Sequence, residues 1–386
     1  MHERRTGKQG WTRARAAAIA LALGATGASA GLVAEQPDVP DVRVRPPTER
    51  REPATDRPLG PTAQNQAAAD EMNAELDQAV NRGLQWLAQQ QSPDGSFGGG
   101  RFGKNVAVTA LAGIALMADG NLPGRGPYGE QVRKAIEFVL VSSTETGLIA
   151  ADTTNGPMYG HGFATLFLGE VYGMTQGGGD TKLAQRVHQA LVKACRLIER
   201  TQNDEGGWRY NPVPYDADIS VTICQVMALR SARNAGVEVP KQVIDKAVEY
   251  VRRCQNPDGG FKYQAEQGMS AWPRSAAGVA SLYYSGIYED QALTKGVEYL
   301  LRNAMPNSIN RPETHYFYGQ YYTVQSMYLA GGEAWATSWP LIREELLRRQ
   351  MSNGSWADPS VGPAYGSSMA LIVLQMPKRY LPIFQK

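Results

Sequence analysis

Two carboxylates stand two residues apart in Asp216-Ala217-Asp218-Ile219-Ser220, the sharpest chemical feature of this 386-residue chain. Neighbouring carboxylates raise the proton affinity of one member of the pair, which can then stay neutral and act as a general acid. The run directly precedes an apolar helical segment, Ile219 to Leu229. There Asp218 is also a preferred N-cap, and a helix N-terminus favours the ionised form instead. Aligning Val106-Ala107-Val108-Thr109 with Ile219-Ser220-Val221-Thr222 sets Asn105, an equally good cap, opposite Asp218. The same alignment sets Ala271 and Tyr318 there in later segments, so an acid is not a general requirement of that position. Capping and proton donation both remain open for Asp218.

Aromatic residues form a second constellation. Tyr316, Phe317, Tyr318, Tyr321 and Tyr322 cluster beside His315; Tyr159, His161, Phe163 and Phe167 gather earlier, and Tyr283, Tyr284 and Tyr288 between them. Aromatic faces stabilise carbocations and hold apolar chains, and they also fill space between helices. Hydroxyls gathered at one helix end predict a polar-rimmed pocket, with His161, His315, Tyr316, Tyr318, Tyr321 and Tyr322 as candidate ligand-binding residues. Catalytic zinc needs three convergent ligands. The histidines are scattered and no cysteine follows Asp216-Ala217-Asp218 at close spacing, so no metal or other cofactor is expected. The chain has no Asp-Asp-x-x-Asp run and no phosphate-cradling glycine loop. Cys195, Cys224 and Cys254 sit among apolar neighbours without a Cys-x-x-Cys spacing, which reads as three buried thiols.

These residues must be positioned by a repeat. A glutamine followed by Asp-Gly or Gly-Gly and an aromatic recurs as Gln91 to Phe97, Gln202 to Trp208, Gln255 to Phe261 and Gln350 to Trp356. Ahead of each lies an amphipathic stretch carrying a cation and a small residue, such as Arg82-Gly83 or Lys246-Ala247. Degenerate copies run from Arg133 through Gly147 and from Lys295 to Asn307, making six units of about fifty residues. A second segment, apolar on nearly every face, follows each turn and must be surrounded by protein. Six amphipathic helices alternating with six buried ones predict an all-α (α/α)6 toroid of two concentric helix rings over residues 71–386. The Asp-Gly turn supplies the left-handed residue that ends one helix and reverses the chain.

The repeats resemble the QW repeats of the squalene-hopene cyclase and protein prenyltransferase superfamily, in which a basic residue, Gly or Ala, an aromatic and an aliphatic precede Gln and Gly-x-Trp. The resemblance covers the whole of 71–386. Finer runs, among them Met158-Tyr159-Gly160-His161 and Tyr316-Phe317-Tyr318-Gly319-Gln320, are similar to exported single-toroid prenyltransferase/squalene oxidase repeat proteins of planctomycete-type bacteria. The resemblance implies an isoprenoid or other hydrophobic ligand in the central cavity. It also sets Asp216 and Asp218 on the first and middle acids of the class II cyclase motif Asp-x-Asp-Asp-Thr, whose middle acid is the proton donor. Ile219 replaces the third acid and Ser220 stands for the Thr.

At the N-terminus, Arg4, Arg5, Lys8, Arg13 and Arg15 precede an apolar run ending in Ala28-Ser29-Ala30, the pattern of a secretory signal peptide over residues 1–30. Residues 31–70 carry seven prolines and mixed charge and read as a disordered linker. The run is too short for a transmembrane anchor, so an exported protein is expected. Removing the leader takes five of 39 basic and one of 37 acidic residues, leaving 34 against 36. That balance offers no basic stripe for nucleic acid. Two other functions fit the same pattern. One is a non-catalytic binding or scaffold protein. The other is a carbohydrate-active (α/α)6 enzyme, for which Glu170 would face Asp218 or Asp216 across the mouth.

Overall fold

The computed structural model describes residues 71–99, 102–151, 153, 156–175, 180–266, 268–306 and 315–385. The expected leader and linker, and Asn307 of the fifth turn, lie outside the described residues. Six helices carry an apolar stripe and lie outside: α1 (Ala74–Gln89), α3 (Gly129–Val141), α5 (Thr181–Arg200), α7 (Lys241–Arg253), α9 (Gln291–Asn303) and α11 (Gly332–Arg349). In α5 the buried residues are Val187, Leu191, Ala194, Cys195, Leu197 and Ile198, the spacing of a single helix face. Six others lie inside: α2 (Val106–Met117), α4 (Met158–Thr175), α6 (Ile219–Asn234), α8 (Trp272–Tyr284), α10 (Tyr316–Ala330) and α12 (Pro363–Leu374). Every residue of α2 except Ala107 is buried, as an inner position demands. Each inner helix packs on the next, and α12 packs back on α2, so the ring closes. The fold is the expected all-α toroid.

The repeat turn explains itself in hydrogen bonds. Gln91 Nε2 donates to its own turn at Gly95 O (3.0 Å) and to Gln131 O (2.9 Å) in the next outer helix. Gln202 does the same to Gly206 O and Val243 O, and Gln255 to Gly259 O and Ala292 O. Gln350 reaches Gly354 O and, across the ring closure, Ala79 O at 2.8 Å. The turn glycine is required twice over. Gly206 sits at φ +98°, and a Cβ there would lie 2.1 Å from Lys246 O. Gly95, Gly147, Gly259 and Gly354 likewise face the carbonyls of Lys134, Lys193, Lys295 and Arg82, the repeat's cations. The small residue after the cation makes room for the turn aromatic: Trp356 packs over Gly83.

Behind four of the turns an inner-helix hydroxyl accepts the N–H of the turn aromatic. Thr109 takes Phe97 N, Thr222 takes Trp208 N, Ser275 takes Phe261 N and Ser367 takes Trp356 N. In the second unit Ile149 holds the aromatic's place, and His161 Nδ1 accepts its N–H at 3.2 Å. Trp208 and Trp356 also donate Nε1 to Ile198 O and Leu346 O of their own outer helices. All three cysteines are free and buried, and burial pushes their thiols up to about 12. Among the described residues no helix is long and apolar enough to cross a membrane.

Candidate functional site

All six inner helices begin at the same end of the ring, and a cavity of about 1940 Å³ opens there. Val106, Tyr159, Ser220, Trp272, Tyr318 and Tyr365 bring one residue from the start of each inner helix to its wall. Phe102, Phe163, Tyr210, Tyr263 and Tyr299 add further aromatic side chains to the lining, and Asn105, Asn211, Asn256, Asp258 and Arg274 give it polar stretches. Below Phe163 the centre of the ring is filled. Its ring meets Tyr321 edge-on at 6.2 Å, Tyr321 meets Tyr322 at 4.8 Å, and Tyr284 Oη donates to Gln325 Oε1 at 2.6 Å. The cavity is therefore a bowl set into one mouth of the toroid.

Asp218 is the N-cap of α6, with Oδ1 accepting from Ser220 N and Val221 N at 2.9 Å each. Oδ2 is buried without a hydrogen bond and stands 3.7 Å from Arg209 Nε, which also lacks one. Burial raises this carboxyl to about 6, opposed in order by the Val221 N–H, the nearby Tyr263 hydroxyl, the Ser220 N–H and the Arg209 charge. Asp216 is held by a different partner. It is half exposed and ion-paired to Arg209, whose guanidinium lies 5.2 Å from the Tyr210 ring centre. Neither acid is part of the cavity wall. The helix start turns Asp218 inward to cap it, and Arg209 draws Asp216 aside. Tyr210 and Tyr263, joined hydroxyl to hydroxyl, line the wall at this place instead.

The expected ligand-binding group divides in the same way. His315 and Tyr318 line the bowl, and Tyr318 Oη donates to Ser220 O at 3.0 Å, joining α10 to α6. Tyr316, Tyr321 and Tyr322 are buried outside the wall. Tyr316 lies under the Arg349 guanidinium, 4.0 Å from its ring centre, and Tyr322 Oη meets Cys224 Sγ at 3.4 Å. His161 needs correction. Its Nδ1 accepts from Ile149 and its Nε2 faces Ala194 O at 3.2 Å, which leaves no ring nitrogen for a ligand. Burial lowers it to about 4, so the neutral ring bearing its proton on Nε2 joins α4 to α5. The cap of α10 is His315, at φ +65°, rather than Tyr318 three residues later. An alignment that follows apolar residues alone slips by a turn there.

Glu170 does not face the mouth. It lies twelve residues along α4, about 18 Å from the helix start. Its oxygens accept from Ser231 Oγ (2.6 Å) and from Ile383 N (3.0 Å), in a C-terminal tail packed against α4 and α6. Burial pushes it up to about 7. The carboxyl pair expected of a glycosidase across the mouth is not formed by Glu170 with Asp216 or Asp218. Sequence reasoning missed Tyr210 and Tyr263, which sit in loops where no periodicity marks them. The available signal was their placement, each two residues after a turn aromatic, in Trp208-Arg209-Tyr210 and Phe261-Lys262-Tyr263.

Closed ring, repeat turns and bowl define an α-α toroid, and the sequence agrees. The chain belongs to the prenyltransferase alpha-alpha toroid domain family, whose family model matches residues 66–310. It is similar to the drimenyl diphosphate synthase of Streptomyces showdoensis, 26% identical over 191 residues, a match covering 49% of this chain and 33% of that relative. Among solved structures it resembles a variant of the type II terpene cyclase MstE from Scytonema in complex with its substrate geranylgeranyl dihydroxybenzoate. That likeness has a TM-score of 0.55 at 16% identity and covers 80% of this chain and 98% of the other. It also resembles an inactive variant of an alpha-1,6-mannanase of Salegentibacter sp. HEL1_6 in complex with alpha-1,6-mannotetrose, with a TM-score of 0.57 at 8% identity, covering 78% and 98%. At these identities the structural likenesses concern the fold alone.

Proposed function

We propose that the bowl binds an isoprenoid or comparably apolar chain, and that Asp218 supplies the proton for acid-initiated chemistry on it. The aromatic lining carries the reading: Phe102, Tyr159, Phe163, Tyr210, Tyr263, Trp272 and Tyr318 offer faces to an apolar chain and to a carbocation formed on it. The geranylgeranyl group bound by the Scytonema cyclase is a ligand of that class. Asp218 is equipped for two tasks, because Oδ1 caps α6 and Oδ2 is spare. With its carboxyl raised to about 6, about a tenth is protonated at pH 7.

The Tyr263 hydroxyl acts on Asp218 and its residue lines the bowl, so the path proposed for the proton runs by way of that hydroxyl. The alkene π pair takes the Tyr263 proton, a C–H bond forms, and the phenol oxygen takes the Asp218 proton. The carboxylate left behind faces Arg209, and the substrate carries the positive charge. Return of a proton from a neighbouring carbon along the same path regenerates the acid and leaves an isomerised or cyclised product.

Mass spectrometry of organic extracts, made after incubation of the protein with geranylgeraniol and with squalene, tests this. Asp218→Asn keeps the Oδ1 cap, since Asn caps about as well as Asp, and removes the proton. Rearranged product from the wild type and none from a stably folded Asp218→Asn variant is the expected result. Equal turnover in the variant eliminates Asp218 as donor, and failure of the wild type to retain either polyprene eliminates the apolar ligand.

A further inference from the structure

Beyond α12 the chain crosses the end of the ring opposite the bowl in two single turns of 3-10 helix, Met376–Lys378 and Pro382–Phe384. The first is fixed beside α2, where Gln375 Nε2 donates to Ala115 O at 3.0 Å and Lys378 is ion-paired to Asp119. Arg379 then holds left-handed backbone at φ +55°, which His315 alone shares among the described non-glycine residues. Such backbone is strained for a residue with a Cβ and persists only where its surroundings hold it. The second turn lies against α4 and α6, with Leu381, Ile383 and Phe384 buried. Its tie to the ring is the hydrogen bond from Ile383 N to Glu170 Oε2, at 3.0 Å.

Glu170 suits this enclosed place only when neutral. With a proton on Oε1 it donates to Ser231 Oγ (2.6 Å), which hands its own hydrogen to Leu166 O (3.3 Å). Ionised, it accepts from Ser231 and Ile383 but has no counter-ion, since no charge on α2, α5, α6 or the tail acts on it. Tyr284 of α8 and Tyr321 of α10 feel its charge but are neutral phenols, and Arg230 of α6 acts on Tyr284. On the tail, Lys378 is held by Asp119, and the Arg379 guanidinium lies 5.5 Å from the Tyr328 ring centre. A buried carboxylate without a counter-ion is costly. We propose that residues 380–385 form a strap over this end of the ring, latched while Glu170 carries its proton and swung off about Arg379 when it ionises. Release uncovers the apolar ends of α4 and α6 and leaves the bowl unchanged, so the device does not rest on what the bowl binds. Below about pH 4.5 the carboxyl is neutral whether the strap is docked or released, and docking is strongest. From there to about pH 7 only the released form ionises, and docking weakens about tenfold per pH unit before levelling off.

Hydrogen exchange of the full chain, followed by mass spectrometry of its C-terminal peptide, reads the latch as a protection factor, the rate relative to unstructured chain at the same pH. In the wild type, protection of that peptide should fall about tenfold per unit between pH 5 and pH 7, while a peptide from α9 keeps its own. In Glu170→Gln, which has no proton to lose, protection of the tail should stay level over the same range. Ser231→Ala keeps the carboxyl but removes a bond that favours its ionised form, so the fall should extend to higher pH. That variant decides the matter should Glu170→Gln not fold. Tail protection independent of pH in the wild type, or an unchanged fall in Glu170→Gln, overturns the latch. So does a fall shared by tail and α9 alike, because the whole ring would then be opening.

Discussion

The repeat turns are tight because a glycine leaves room for the backbone of the next outer helix, and a matched pair of substitutions measures that. Gly206 and Gly236 both hold left-handed backbone, at φ +98° and +90°. An added Cβ at Gly236 meets nothing within 4 Å, whereas at Gly206 it would lie 2.1 Å from Lys246 O and 2.6 Å from Lys246 C. Gly236→Ala should therefore cost only the left-handed penalty, about 1–2 kcal/mol. Gly206→Ala carries the same penalty plus about 1–3 kcal/mol for pushing a backbone carbonyl aside. It also loosens the two Gln202 Nε2 bonds, to Gly206 O at 2.9 Å and Val243 O at 2.8 Å, each worth about 1 kcal/mol. The total for Gly206→Ala is about 4–7 kcal/mol when both bonds are lost, read from urea titrations followed by far-UV circular dichroism. A difference of less than about 1 kcal/mol between the two variants would falsify the claim that the turn glycine sets the spacing between repeats.

Two stability predictions follow from the same architecture. Trp208→Ala should cost about 3–5 kcal/mol through loss of packing, and Trp208→Phe clearly less, because it forfeits mainly the Nε1 bond to Ile198 O; equal costs in urea titrations would mean that the hydrogen bond, not the ring, ties the turn. Glu170 is raised from 4.5 to about 7, so its contribution to stability is full below pH 4.5 and is lost as pH rises through 7. Glu170→Gln should accordingly gain on the wild type by up to about 3 kcal/mol between pH 4.5 and pH 7 and above, in urea titrations over that range. A pH-independent difference would show that the carboxyl is not desolvated by the tail.

Sequence alone determined the parts of this protein that repeat. A glutamine, a turn glycine, an aromatic, and a cation with a small residue after it recur in step with helices of alternating character, and every one of those residue types has a partner in the closed ring. The signal is strong because four of the units answer the same local demands in full: a left-handed residue to reverse the chain, an apolar face to bury, and an amide to join neighbouring outer helices. The second unit shows the rule at its limit, since His161 stands where other units carry Thr or Ser and does the same work with Nδ1.

Tertiary structure alone decided what is particular to one unit. Asp218 was recognisable as a cap, but that Oδ1 alone would do the capping, and that Tyr263 rather than Asp218 would line the bowl, depended on a loop about 45 residues away. Tyr321 and Tyr322 look from their sequence like pocket residues and became core, Tyr321 against Phe163 and Tyr322 against Cys224, both of other inner helices. Arg274 looks like an ordinary surface cation, and its Nε is orphaned only because the ring buries it without bringing a carboxylate within reach. Periodicity reports which face of a helix is buried. It carries no information about which residues from distant units meet there, and burial and charge at the bowl are set by those meetings.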